Sequence, residues 1–98
     1  MNILIICGGG ASSGFLAQSM RKAAKQQGEE VSVLARSESE LEDYVENVDV
    51  VLIGPHLKYM EEEITKKASK HDVKVAMINQ LIYGTLDGAK ALDLAKNL

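Results

Sequence analysis

The chain has one cysteine, one proline, one phenylalanine and no tryptophan among its 98 residues. A single cysteine excludes an intramolecular disulfide framework and fits a reducing compartment. No CxxC or HExxH pair is present, and His56 and His71 both lie far from Cys7 in sequence, so no metal site is expected. No apolar run approaches the ~20 residues that a membrane-spanning helix requires. Met1 to Ile6 is too short for a signal sequence and lacks its basic start. These absences lead to the expectation of a cytoplasmic chain with no direct membrane insertion. Positive charge is also in short supply: 11 Lys and Arg against 14 Asp and Glu, a net −3. That balance argues against nucleic-acid binding, which relies on basic side chains to neutralise phosphates. No repeat, low-complexity segment or linker interrupts the chain, and its length suits one domain over residues 1–98 with one modest core.

What remains is an alternation of strand-like and helix-like pieces. Asn2 to Ile6 is short, apolar and rich in branched residues, as a strand buried on both faces would be. From Ser13 to Gln27, Leu16, Met20 and Ala23/Ala24 recur at helical spacing, and Gly28 supplies a stop. Val31 to Ala35 follows as a second strand. Ser37 with Glu40 forms a capping-box pattern ahead of a short helix carrying Leu41, Tyr44, Val45 and Val48. Val48 to Ile53 reads as the central strand, broken by Gly54-Pro55. Leu57, Met60, Ile64 and Ala68 mark a further helix face, with Glu62–Lys66 and Glu63–Lys67 as i,i+4 pairs. Lys74 to Ile78 is a fourth strand, and a last helix runs from Thr85 or Asp87 to Lys96.

This alternation predicts an α/β fold: a small four-stranded parallel sheet, order 2-1-3-4, with helices on both faces. In that order the winding reverses between the first and third strands, and ligands sit outside the carboxyl ends of strands at such a switch point. Cys7 and Gly54-Pro55-His56 both fall there.

Cys7 is followed by Gly8-Gly9-Gly10-Ala11-Ser12-Ser13-Gly14. Glycines permit the dihedrals by which successive backbone amides turn toward one anion. The following helix adds its positive end, and Ser12 and Ser13 can cap it or bond a phosphate oxygen. The same field favours thiolate at Cys7. A nucleophilic sulfur at the lip of an anion cradle points to phosphorylation on cysteine, with Gly8, Gly9, Gly10, Ala11, Ser12, Ser13 and Gly14 as phosphate-binding candidates. The loop lacks the final Gly or Ala of a dinucleotide fingerprint and the G-K-[ST] of a Walker loop. Ile53-Gly54 stands where a receiver domain would place its aspartate.

Three segments together carry a family resemblance: Ile5-Ile6-Cys7-Gly8-Gly9-Gly10-Ala11-Ser12-Ser13, Val50-Val51-Leu52-Ile53-Gly54-Pro55-His56-Leu57-Lys58-Tyr59-Met60, and Tyr83-Gly84. The chain resembles the IIB component of the lactose/cellobiose class of the bacterial phosphoenolpyruvate-dependent sugar phosphotransferase system. The resemblance implies a cofactor-free phosphoryl carrier. Cys7 would accept phosphate from a phosphohistidine on a IIA partner and pass it to a β-linked disaccharide held by the membrane partner IIC. Family substrates are of the cellobiose, lactose, chitobiose or lichenan type. Two positions depart from the family pattern: Ala11 stands where Met is frequent, and His56 where Gln is frequent. Pro55, His56, Tyr59 and Tyr83 are candidates for the rim of the site, His56 being read chiefly as a partly exposed loop residue, and Tyr59 and Met60 chiefly as packing residues. Phe15 is a candidate for partner docking, but as the one phenylalanine it is expected chiefly in the core. Nothing requires a homo-oligomer.

Two other readings stay open. Low-molecular-weight tyrosine phosphatases share the fold and place cysteine at the end of the first strand, in the pattern C-x5-R-[ST]. Counting from Cys7, Ser13 occupies the arginine position, and no Asp-Pro general acid is present. Arginine clamps the phosphoryl oxygens as charge shifts during transfer, so its absence suits a carrier better than a hydrolase. The third reading is a non-enzymatic module that binds an anion or a partner at the loop.

Overall fold

The structure is a computed structural model that describes residues 1–8 and 12–98. Its strands are β1 (Asn2–Cys7), β2 (Ser32–Ser37), β3 (Val50–Ile53) and β4 (Lys74–Met77). Its helices are α1 (Ser12–Gln26), α2 (Leu41–Tyr44), α3 (Glu61–Ser69), α4 (Gln80–Gly84) and α5 (Gly88–Lys96). Short 3-10 turns flank α2 at Glu38–Glu40 and Val45–Asn47, and another, Pro55–Met60, leads into α3. The sheet order is β2-β1-β3-β4 with every pair parallel, as the alternation predicts.

Register decides which side chains share a face. Ile3 pairs with Val50 and Ile5 with Leu52, while Leu4 pairs with Val51 and Ile6 with Ile53. Side chains alternate across a strand, so the central strands divide their apolar residues between two cores. Ile3, Ile5, Val50 and Leu52 pack with Leu16, Ala17 and Met20 of α1 and Ala91, Leu92 and Ala95 of α5. Leu4, Ile6, Val51 and Ile53 pack with Leu41 of α2 and Ile64 and Ala68 of α3. Burial of one such aliphatic side chain is worth about 1.5–3 kcal/mol. A strand buried on both faces therefore resists displacement, and β1 delivers Cys7 from a rigid base.

Local chemistry accounts for the element ends. After α1 the chain turns at Gly28, whose φ of +70° lies in the left-handed region, and Glu29 N–H reaches back to the Ala24 carbonyl at 2.9 Å. The Glu40 carboxylate accepts from the Ser37 N–H at 3.2 Å, closing one half of the capping box. Of the two expected i,i+4 ion pairs, Glu63–Lys67 forms at 3.6 Å, and Lys67 also meets Glu42 at 3.4 Å. Glu62–Lys66 is not an ion pair in the structure; both groups are exposed, where water satisfies them at little cost.

Between β4 and α5 the structure adds a short helix beyond the elements read from the sequence. Asn79 accepts a hydrogen bond from the Ile82 N–H at 2.8 Å and starts α4. Five residues are too few to display a helical period in the sequence. Tyr83 accordingly lies on a helix. Asp87 caps α5 in the same way, accepting from the Lys90 N–H at 3.1 Å.

Candidate active site

β1 ends at Cys7, and β3 continues its pairing one residue beyond Ile53, because the Gly54 N–H donates to the Ile6 carbonyl at 2.9 Å. This ladder places the Gly54-Pro55-His56 turn beside Cys7 and Gly8, at the carboxyl edge of the sheet. The His56 Nε2 accepts a hydrogen bond from the Gly8 N–H at 3.0 Å. The imidazole also meets the Tyr83 ring edge-on, with centroids 5.5 Å apart and planes at 66°. A Cβ at Gly54 would fall 2.7 Å from the imidazole Cε1, so glycine there leaves the ring its place.

Cys7 itself is 2% exposed. Its sulfur lies 2.8 Å from the Ser13 Oγ and 3.6 Å from the Arg36 carbonyl oxygen. With the thiol proton directed to that carbonyl, the Ser13 hydroxyl donates the shorter bond to sulfur. Ser13 is the buried polar residue among those described, at 2% exposure. The reason is helical phase: Ser13 shares the inward face of α1 with Leu16, Ala17 and Met20. That phase was readable in the sequence, whereas the direction of the hydroxyl toward Cys7 was not.

α1 runs for 15 residues and carries no acidic residue in its first turn, so its positive end is not neutralised from within the helix. Neither nearby arginine compensates for serine at position 13. Arg21 donates from Nε and from Nη2 to the Val33 carbonyl, at 3.0 and 2.7 Å. Arg36 donates to the Ala35 carbonyl at 2.8 Å and lies 5.0 Å from the Tyr44 ring centroid. A hydrogen bond with Tyr44 holds its guanidinium above the usual arginine range. Both guanidinium groups are committed elsewhere.

Gly9, Gly10 and Ala11, and the side chain of Ser12, fall outside the described residues. Among the rim candidates, His56 and Tyr83 meet beside Gly8, and Pro55 opens the turn that carries His56. Tyr59 is 81% exposed instead of packed, because Leu57 takes the inward position of the 3-10 turn. Phe15 is 56% exposed, contrary to its expected place in the core; the first turn of α1 points Ser13, Leu16 and Ala17 inward and leaves Phe15 outward. His71 is exposed just after α3. Among the described residues no group of His, Cys, Asp and Glu is arranged to hold a metal ion.

Ser13→Ala removes the described hydroxyl that contacts the sulfur, without altering the helix face. A hydrogen bond of this kind is worth about 1 kcal/mol, so, on the expectation that Cys7 accepts a phosphoryl group, its uptake is expected to slow roughly fivefold. Single-turnover transfer from a phosphorylated donor measures this, and an unchanged rate would remove Ser13 from the reaction.

A four-stranded parallel sheet with a cysteine at its switch point, against the start of a long helix, defines the class: a small α/β protein built to present one sulfur at the sheet edge. The family described as "PTS system, Lactose/Cellobiose specific IIB subunit" matches residues 2–94, and the chain belongs to it. It is thus a IIB component of the sugar phosphotransferase system, a phosphotransferase. The chain is 32% identical to the oligo-beta-mannoside-specific EIIB component of Bacillus subtilis, over 98% of its own length and 93% of the relative's. It is 32% identical to the galactose-specific EIIB component of Lactococcus lactis subsp. cremoris, over 98% and 94%. A 29% identical match covers 99% of the chain but only 17% of the lactose-specific EIICB component of Lacticaseibacillus casei. Among solved structures, the cellobiose-specific IIB component of Borrelia burgdorferi superposes with a TM-score of 0.82 at 34% identity, over 99% of this chain and 89% of that one. The lactose-specific IIB domain of Streptococcus pneumoniae superposes with a TM-score of 0.89 at 18% identity, over 99% and 95%, which supports the fold alone.

Proposed function

We propose that residues 1–98 act as a single phosphocysteine carrier domain, with Cys7 as the phosphoryl acceptor and Gly8 to Gly14 as the phosphate-binding loop. The observation that carries this reading is the Cys7 sulfur, 2.8 Å from a buried serine hydroxyl at the start of α1. The donor is a phosphohistidine on a IIA protein. Its P–N bond breaks as the Cys7 S–P bond forms, with the two nucleophiles in line. Phosphocysteine then passes the group to a sugar hydroxyl presented by the membrane component IIC, breaking S–P and forming P–O. The lactose-specific EIICB relative, in which the matching segment is one part of a longer protein, favours a IIC partner.

No helix among the described residues is long and apolar enough to cross a membrane. The carrier reading places the chain in the cytoplasm, visiting the inner membrane face through IIC. The relatives are named for oligo-β-mannoside, galactose, cellobiose and lactose. A β-linked disaccharide of the cellobiose, lactose, chitobiose or lichenan type suits that range, and the choice among sugars lies with IIC, where the sugar is bound.

The site also favours carriage over hydrolysis. With Arg21 and Arg36 both engaged elsewhere, no described guanidinium is free to clamp the phosphoryl oxygens. The contacts described for the Cys7 sulfur are the Ser13 hydroxyl and the Arg36 carbonyl, neither of them a carboxyl group placed to act as a general acid. Incubation with phosphoenolpyruvate and the upstream components is expected to add one phosphate, mapped to Cys7 by mass spectrometry and persisting long enough for isolation. Turnover of a generic aryl phosphate by the isolated chain, with no stable adduct, would instead establish the hydrolase reading.

A further inference from the structure

We propose that His56 is a proton-switched ligand of the phosphoryl group on Cys7. This rests on the carrier reading and assigns a role to a residue that the reading leaves unused. In the resting chain the His56 Nε2 accepts the Gly8 N–H at 3.0 Å. That bond requires a neutral ring with its proton on Nδ1. It also occupies the first amide after Cys7, one that an anion on the sulfur would otherwise use.

Protonation inverts the contact. An imidazolium is a donor at both nitrogens, so Nε2–H and Gly8 N–H would face each other as two donors. An acceptor between them resolves the conflict, and a phosphoryl oxygen on the adjacent sulfur is an anion suited to that place. One proton, taken from solvent, therefore frees the Gly8 amide and converts Nε2 from its competitor into a second donor. Charge-assisted bonds of this type are the stronger ones.

The surroundings leave the phosphoryl group as the partner that draws the proton. Gly8, the residue after Cys7, meets the ring from the end of β1, and Tyr83 meets it from α4. Lys58 and Tyr59 share its own 3-10 turn, and α1 contributes its positive end. Among the described residues no carboxylate pairs with the imidazole. The position is also spatially reserved, since a Cβ on Gly54 would clash with this ring, while one on Gly8 would only touch it.

The sign of the pH dependence follows from linkage. If phosphorylation of Cys7 favours protonated His56, protonation of His56 equally favours phosphorylated Cys7. The added stability of the phospho form is present at acidic pH and is lost as pH rises through the range where the phosphorylated protein releases the proton.

The test uses the full 15N-labelled chain, with Cys7 phosphorylation verified by mass spectrometry and His56 assigned through His56→Gln. Imidazole 15N–1H spectra near neutral pH are expected to show Nε2 unprotonated before phosphorylation and both nitrogens protonated after it, with His71 unchanged. The phosphoryl exchange equilibrium with the phosphohistidine donor is measured in parallel between about pH 5.5 and 8. It is expected to shift toward the phosphorylated chain as pH falls, by about tenfold more in wild type than in His56→Gln. A neutral ring beside a verified phosphocysteine, or equal pH dependence in the two proteins, overturns the proposal. Absence of phosphate on Cys7 would instead overturn the carrier reading, and this inference with it.

Discussion

Cys7→Ser is expected to lose phosphoryl acceptance while keeping the fold. The substitution exchanges sulfur for oxygen at a position that is 2% exposed and already flanked by the Ser13 hydroxyl and the Arg36 carbonyl. A serine hydroxyl can donate to that carbonyl and accept from Ser13, so its polar group is satisfied and the stability cost stays near 1 kcal/mol. Chemistry is where the two differ. A thiol ionises within reach of neutral pH and its thiolate is strongly nucleophilic, whereas an alcohol needs an adjacent base. Neither a serine hydroxyl nor a peptide carbonyl is one. Transfer from a phosphorylated donor is therefore expected to fall by at least about a thousandfold, with circular dichroism and thermal midpoint little changed. Label appearing on the serine variant at the wild-type rate, or at another residue, would sink the assignment of Cys7.

Gly88→Ala is expected to be the most destabilising small substitution away from the site. Gly88 opens α5, is buried, and donates its N–H to the Ser19 Oγ of α1 at 3.0 Å. A Cβ at Gly88 would overlap the Ser19 carbonyl carbon, carbonyl oxygen and Oγ. Two of those atoms are backbone, so the clash cannot be relieved by rotating a side chain. α5 must lift from α1, loosening the contacts of Ala91, Leu92 and Ala95 with Leu16 and Met20. Such overpacking costs about 3 kcal/mol, and in a domain of this size that corresponds to a midpoint roughly 15 °C lower. Gly84→Ala is the contrast, because nothing lies within 4 Å of its added methyl. Its midpoint is expected to hold or rise slightly from improved helix propensity. Equal midpoints for Gly88→Ala and wild type would mean that the two helices are not held at this distance.

The legible part of the fold was the part with strong local period. Ile3 to Ile6 and Val50 to Ile53 read as strands because unbroken branched apolar runs suit a sheet covered on both sides. Leu16, Met20 and Ala24 read as one helix face for the same kind of reason. Boundaries moved by a residue or two: β2 spans Ser32–Ser37 where Val31 to Ala35 was expected, and β3 begins at Val50 instead of Val48. α4 was not legible, since it depends on one cap at Asn79 and lasts a single turn. Phe15 and Tyr59 were misplaced because size and apolarity argue for burial, while position around the helix or turn decides it.

From its order of residues alone, the chain determined a parallel α/β sheet, the order of its strands, and a lone cysteine followed by glycines at the switch point. These follow from alternation, handed crossovers and the count of residues between Cys7 and Ser13. The tertiary structure alone decided which distant groups meet that cysteine. His56 reaches Gly8 across 48 positions only because β3 pairs with β1 in one register and Gly54 extends that pairing. The Ser13 hydroxyl turns to sulfur because α1 docks its apolar face on the sheet, and Gly88 permits α5 to close against α1. Contacts of this kind depend on register and docking distance, which no local period encodes.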